Sequence, residues 1–143
     1  MAGQPGPGSN PILTIDCTAL NLVDLAAPDL PSPLIHQQSQ PFGVSANFAL
    51  AGLFAQWIAN NPSVQYTVRY FYESIGPGPD GTLATVGPKP LGGSTAQGSA
   101  QTSATVPAFT LPPGTYQLTT VVTFGGSPPM TAFAQGPMIE IFA

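Results

Sequence analysis

An all-β fold, an antiparallel sandwich of two sheets with about seven to nine strands, follows from three observations. Segments 42–50, 64–72 and 116–124 alternate apolar and polar residues with a period of two, the mark of a strand with one dry and one wet face. Gly/Pro turn signals punctuate the chain about every 8 to 15 residues. No internal repeat and no heptad pattern competes with this reading. The 143 residues suit one domain, 12–143, behind an extended N-terminal arm, 1–11, made largely of Gly and Pro.

The elements follow in order. Residues 12–16, Ile-Leu-Thr-Ile-Asp, form a first short strand. Residues 17–25 are apolar, and Leu20, Val23 and Leu25 fit a short helix or a second strand passage equally. Pro28, Pro31 and Pro33 make 26–40 a loop. In 42–50, Phe42, Val44, Ala46, Phe48 and Leu50 point one way, and Gly52 then marks a bulge or break. Residues 53–58 continue as strand or one helical turn until Asn60-Asn61-Pro62. In 64–72 the inward residues are Val64, Tyr66, Val68, Tyr70 and Tyr72, and Arg69, Phe71 and Glu73 face outward. Gly76–Gly81 is a hairpin turn, 82–86 a short strand, 88–98 a mobile loop and 100–106 a Ser/Thr strand. Tyr116, Leu118, Thr120, Val122 and Phe124 line one face of the clearest strand; Gln117, Thr119, Val121 and Thr123 line the other. A last strand, 130–142, is interrupted at Gly136-Pro137, where a proline implies an edge or a bulge.

The stretch Leu111-Pro-Pro-Gly114-Thr-Tyr116-Gln-Leu118 resembles the corner before the sixth strand of immunoglobulin-like and fibronectin-type-III-like domains. The resemblance implies an immunoglobulin-like sandwich in which Tyr116 is a structural residue whose hydroxyl returns to upstream backbone. It implies that 42–50 and 64–72 are the second and third strands. The cysteine pair and the third-strand tryptophan of antibody domains are absent.

Composition excludes several functions. Only 6% of residues are charged: Asp16, Asp24, Asp29, Glu73, Asp80, Glu140, Arg69 and Lys89. Two cations cannot neutralise a phosphate backbone, so nucleic acid is not an expected partner. No run of about 18 apolar residues predicts a membrane span. A single cysteine, Cys17, can build neither an internal disulfide nor a structural zinc site. Residues 1–11 lack the basic and apolar regions of a secretory signal. The compartment stays open between the cytoplasm, export by another route, and a particle surface. A surface of Ser, Thr, Gln, Asn, Gly and Pro has little charge repulsion to keep copies apart.

Catalytic groups are scarce. His36, the single histidine, sits in a Pro-rich loop without a nucleophile elbow. Asp24 and Asp29 share a loop and could contribute to a weak calcium site, but ordinary capping and turn roles are the simpler reading. Glu73 and Glu140 lie on different strands, but Arg69 lies four residues from Glu73 on the same face and makes a surface ion pair the simpler reading. No enzyme, cofactor or metal is therefore expected. The remaining candidates are apolar. Phe71 with Val121 on a neighbouring strand would make a contact face, joined by Arg69 and by Ile12 next to the arm. The expected function is a structural or interaction protein that associates with copies of itself, or builds a particle or filament, through the arm and this face. The alternative is a module for glycans or small neutral molecules, with Trp57, Tyr70, Phe71 and Tyr72 as a stacking platform.

Overall fold

The computed structural model describes residues 14–24, 35–125 and 130–143. The N-terminal arm, Ile12, Asp29 and the turn at 126–129 lie outside the described residues. The strands are β1 (Thr14–Asp24), β2 (Ile35–Gln37), β3 (Phe42–Ala51), β4 (Gln65–Ser74), β5 (Asp80–Pro90), β6 (Ala96–Gln97), β7 (Ala104–Val106), β8 (Gly114–Gly125) and β9 (Met130–Phe142). Two short helices, α1 (Ala55–Asn60) and α2 (Ser99–Thr102), interrupt them. One sheet has β1 on one side of β3 and both β6 and β7 on the other. The second runs β2-β9-β8-β4-β5. All pairings are antiparallel except β2 with β9.

The two sheets face each other across one apolar core. Phe42, Val44, Ala46, Phe48 and Leu50 from β3 meet Tyr66, Val68 and Tyr70 from β4 and Leu118, Val122 and Phe124 from β8. Phe48 stands edge-on to Tyr66, with centroids 5.2 Å apart, and to Phe124 at 5.9 Å. These are the residues that the period of two assigned inward. The all-β two-sheet sandwich is therefore as expected.

Several element boundaries differ from the sequence reading, each for a physical reason. Residues 17–24 continue β1 as strand. A bulge between Cys17 and Ala19 shifts the phase, so Ile15 and Cys17 pack inward before it and Leu22 after it. The supposed loop at 26–40 contains β2, whose pairing continues as Gln38 N–H donates to Phe142 O at 2.7 Å. The 82–86 strand extends over Asp80–Pro90, with irregular register opposite Thr67. There Gly87 has φ +99°, and a Cβ would fall 2.6 Å from Tyr66 O, so only glycine fits. The 88–98 loop is anchored rather than loose: Leu91 and Gln97 are buried, and the Gln97 amide donates to Leu91 O and Ser94 O. Gly136-Pro137 forms the bulge in β9, where the register against β8 slips between Gln117 and Thr119.

The supposed 100–106 strand is the most instructive departure. It is the helical turn α2 followed by the short β7. The turn peels away from the sheet and would leave Ala46, between the β6 and β7 pairings, without a backbone partner. The Thr102 hydroxyl replaces that partner. It accepts from Ala46 N–H at 2.9 Å and donates to Ala46 O at 2.7 Å. The carbonyl of Thr102, an orphan at the end of the turn, accepts from the Tyr70 hydroxyl of the opposite sheet at 2.6 Å. Burial pushes the Tyr70 pKa up to about 12, with the Thr102 side chain partly opposing the shift. Thr120, by contrast, is buried with a hydroxyl that has no partner among the described residues.

One substitution should thus have opposite effects at two threonines. Thr102→Val strands two buried backbone groups and should cost about 3 kcal/mol, whereas Thr120→Val removes an unsatisfied hydroxyl and should gain about 1 kcal/mol. Urea unfolding of both variants measures the pair. Alkaline stability follows from Tyr70. The folded state retains a proton that the unfolded chain releases near pH 10, so its contribution is whole below about pH 10 and is lost as pH rises towards about 12. Urea midpoints between pH 8 and 11.5 should fall more steeply for the wild type than for Tyr70→Phe.

Candidate functional site

The outward face of the five-stranded sheet carries the candidate site. Its strands alternate, so the odd-numbered residues of β4 and β8 project away from the core. Register arranges them in rows across the sheet. The first is Thr85–Arg69–Val121–Phe133. The second is Thr82–Phe71–Thr119–Gln135, and the third Asp80–Glu73–Gln117–Met138. Phe71 and Val121 are thus diagonal neighbours, within reach of each other on a pleated surface. Phe71 and Val121 are half-buried, Phe133 is 73% exposed and Met138 is 50% exposed. A shallow hollow of about 340 Å³ opens beside Phe71, lined also by Tyr72, Glu73, Asp80, Gly81, Gln117 and Thr119.

Charge on this face is sparse and separated. Arg69 Nη1 donates to Thr123 Oγ1 at 3.1 Å. The surface ion pair with Glu73 is not formed, because four residues along a strand span roughly 13 Å. No ion pair occurs among the described residues. Glu73 and Glu140 do not share a cleft: they pair with Gln117 and Thr115 of β8 from opposite sides and are exposed on an open sheet.

The other candidates lie elsewhere. Trp57 is on α1 at the end of the sandwich, 60% exposed, with Leu53 and Phe54 exposed beside it in sequence. Ala55, Ile58 and Ala59 face the core, and Gln56 Nε2 and Ala59 O bond Gly93 of the neighbouring loop. Residues 53–58 are therefore tied to that end of the sandwich. The stacking platform is not assembled: Tyr70 is in the core and Tyr72 stands edge-on to Tyr116, 5.7 Å between centroids. Trp57 is exposed on α1, whereas Phe71 and Tyr72 are half-buried on β4, so the rings do not form one platform. His36 lies in β2, and nothing among the described residues gathers three metal-type ligands. No helix among the described residues is long and apolar enough to cross a membrane.

Sequence reasoning missed Phe133, Met138 and Ile35, all exposed on or beside this face. The available signal was the inverted alternation of Ala132-Phe133-Ala134, with small residues in the opposite phase to the aromatic one. Folding β9 back about the Gly/Pro turn places Phe133 opposite Val121.

Tyr116 belongs to the scaffold. Its ring is buried and its hydroxyl donates to Pro112 O at 2.6 Å, closing the approach to β8. No known protein-family model matches this chain, and no curated protein is detectably related to it.

Tyr116→Phe should lower stability by about 1 kcal/mol, the loss of one partly buried hydrogen bond, while leaving the outer face unchanged. Unfolding curves alongside any contact measurement separate the two effects. Lost contact at unchanged stability would place Tyr116 in the functional surface.

Proposed function

We propose that this chain is a non-catalytic, immunoglobulin-like sandwich that works through protein contact, associating with copies of itself through the outer face of the five-stranded sheet. The observation that carries the reading is Phe133, 73% exposed and paired with Val121 next to Phe71, on a face with few charges. Exposed apolar area that is continuous rather than scattered is the usual physical mark of an interface. A flat surface of Thr, Val and Phe costs little to dehydrate and offers no strong charge repulsion. The Gly/Pro arm at 1–11 would extend such contacts along a neighbour and so support a larger particle or filament.

The immunoglobulin-like assignment is supported by two features. The N-terminal strands divide between the sheets, β1 joining β3 and β2 running parallel to the last strand. The hydroxyl of Tyr116 closes the corner before β8 as it does in tyrosine-corner sandwiches.

Sedimentation over a concentration series tests the reading. The wild type should associate, and Phe133→Asp should weaken association by at least about tenfold, about 1.4 kcal/mol, with an unchanged unfolding midpoint. Leu53→Asp, at the α1 end, should have no effect. A wild type that stays monomeric into the millimolar range, or association lost in Leu53→Asp and kept in Phe133→Asp, would overturn the proposal.

A further inference from the structure

Resting on that reading, we infer that the partner is a second copy packed face to face about a two-fold axis that runs across the strands, over the row containing Phe71 and Thr119. The outer face is self-complementary about such an axis. Arg69, Phe71 and Glu73 occupy successive outward positions of β4, with Phe71 in the middle. An axis across the strands reverses strand direction, so each Arg69 faces the other copy's Glu73 and the two Phe71 rings meet. An axis along β4 would set Arg69 against Arg69 and Glu73 against Glu73, which like-charge repulsion disfavours. Neither Arg69 nor Glu73 has an ion-pair partner within its own chain among the described residues, so both charges are available.

The apolar positions obey the same operation. The row containing Phe133 and Val121 falls over the partner's row containing Met138 and Gln117. Phe133 then meets Met138, two of the large exposed side chains at this edge of the face, as an aromatic–thioether contact, twice per dimer. The hollow beside Phe71 is lined from the Phe71–Thr119 and Glu73–Gln117 rows, and the partner's Arg69 and Val121 fall over the second of these. Size also fits. Four full-length strands about 4.8 Å apart, with β2 adding three residues at one end, and five outward rows about 6.7 Å apart span roughly 640 Å² per copy, within the range for one side of a standard stable interface. Such an interface is isologous and closes as a dimer, leaving the arm free to connect dimers.

Charge reversal and mixing test the arrangement. R69E and E73R should each weaken self-association by about tenfold, because each sets like charges together twice. An equimolar mixture of the two should recover association to near the wild-type level, since every facing pair is again opposite. The double variant R69E/E73R should also associate. Glu73 is exposed, so E73R alone remains informative even if R69E unfolds: its deficit must shrink as salt is added. Unaffected single variants, or a folded pair that does not recover on mixing, overturn the two-fold arrangement. If Phe133→Asp still abolishes association in that case, contact through the face survives. If Phe133→Asp associates normally, the face itself is wrong.

Discussion

The hydroxyl of Thr102 holds together a sheet that the chain itself interrupts. Between β6 and β7 the backbone turns through α2, and Ala46 at the centre of β3 loses the neighbour that a continuous strand would supply. One side chain satisfies both the N–H and the carbonyl of Ala46. Its own carbonyl then takes the Tyr70 hydroxyl from the opposing sheet. The contact therefore works in two directions, along one sheet and between sheets. Tyr66 reaches the same turn, with its hydroxyl 3.4 Å from Gln101 O, and Gln97 ties the turn to the preceding loop. In a core with so few polar atoms, each of these bonds is a specific constraint, because an alternative packing would leave a buried group unpaired.

That constraint keeps the inner face of β4 in place, and the outer face follows from it. Tyr70 is locked by Thr102, so its neighbours Arg69 and Phe71 must point the other way. Tyr116 does the same for β8: closing the corner at Pro112 fixes which residues of the strand turn inward, and so leaves Val121 outward. The flat array of Arg69, Phe71, Val121 and Phe133 is thus positioned by residues on the far side of the same strands. A half-buried strand transmits position with very little freedom, since a slip of one residue would exchange the two faces.

Much of this was legible in the sequence, for a simple reason. The segments 42–50, 64–72 and 116–124 each have one wet and one dry side, and their alternation assigned Phe71 and Val121 outward before any pairing was known. Illegible parts share the opposite property. In β1 the bulge at Cys17 resets the phase, so alternation looks broken although the strand continues. In β2 three paired residues are too few to show a period. Residues 100–102 read as strand because they open the Ser/Thr-containing run 100–106. The helical turn is explained by Thr102 meeting Ala46, a contact 56 residues away. Phe133 escaped notice because its importance lies in a cross-strand neighbour, not in its own segment. Arg69 and Glu73 were read as a pair within one chain. Strand spacing instead holds them apart, and the proposed pairing between copies rests on this separation.

In the proposed function the outer face is the working surface and the tyrosine-lined interior its support. Val121 and Val122 are adjacent on β8 yet lie on opposite faces, which gives a direct comparison within a single strand. Isotope-filtered nuclear Overhauser spectroscopy on a mixture of labelled and unlabelled chains reads contacts between copies alone. The account predicts intermolecular signals at Val121, Phe71 and Phe133 and none at Val122 or Val68. Intermolecular signals confined to Leu53, Phe54 and Trp57, or none at all at millimolar concentration, would contradict it.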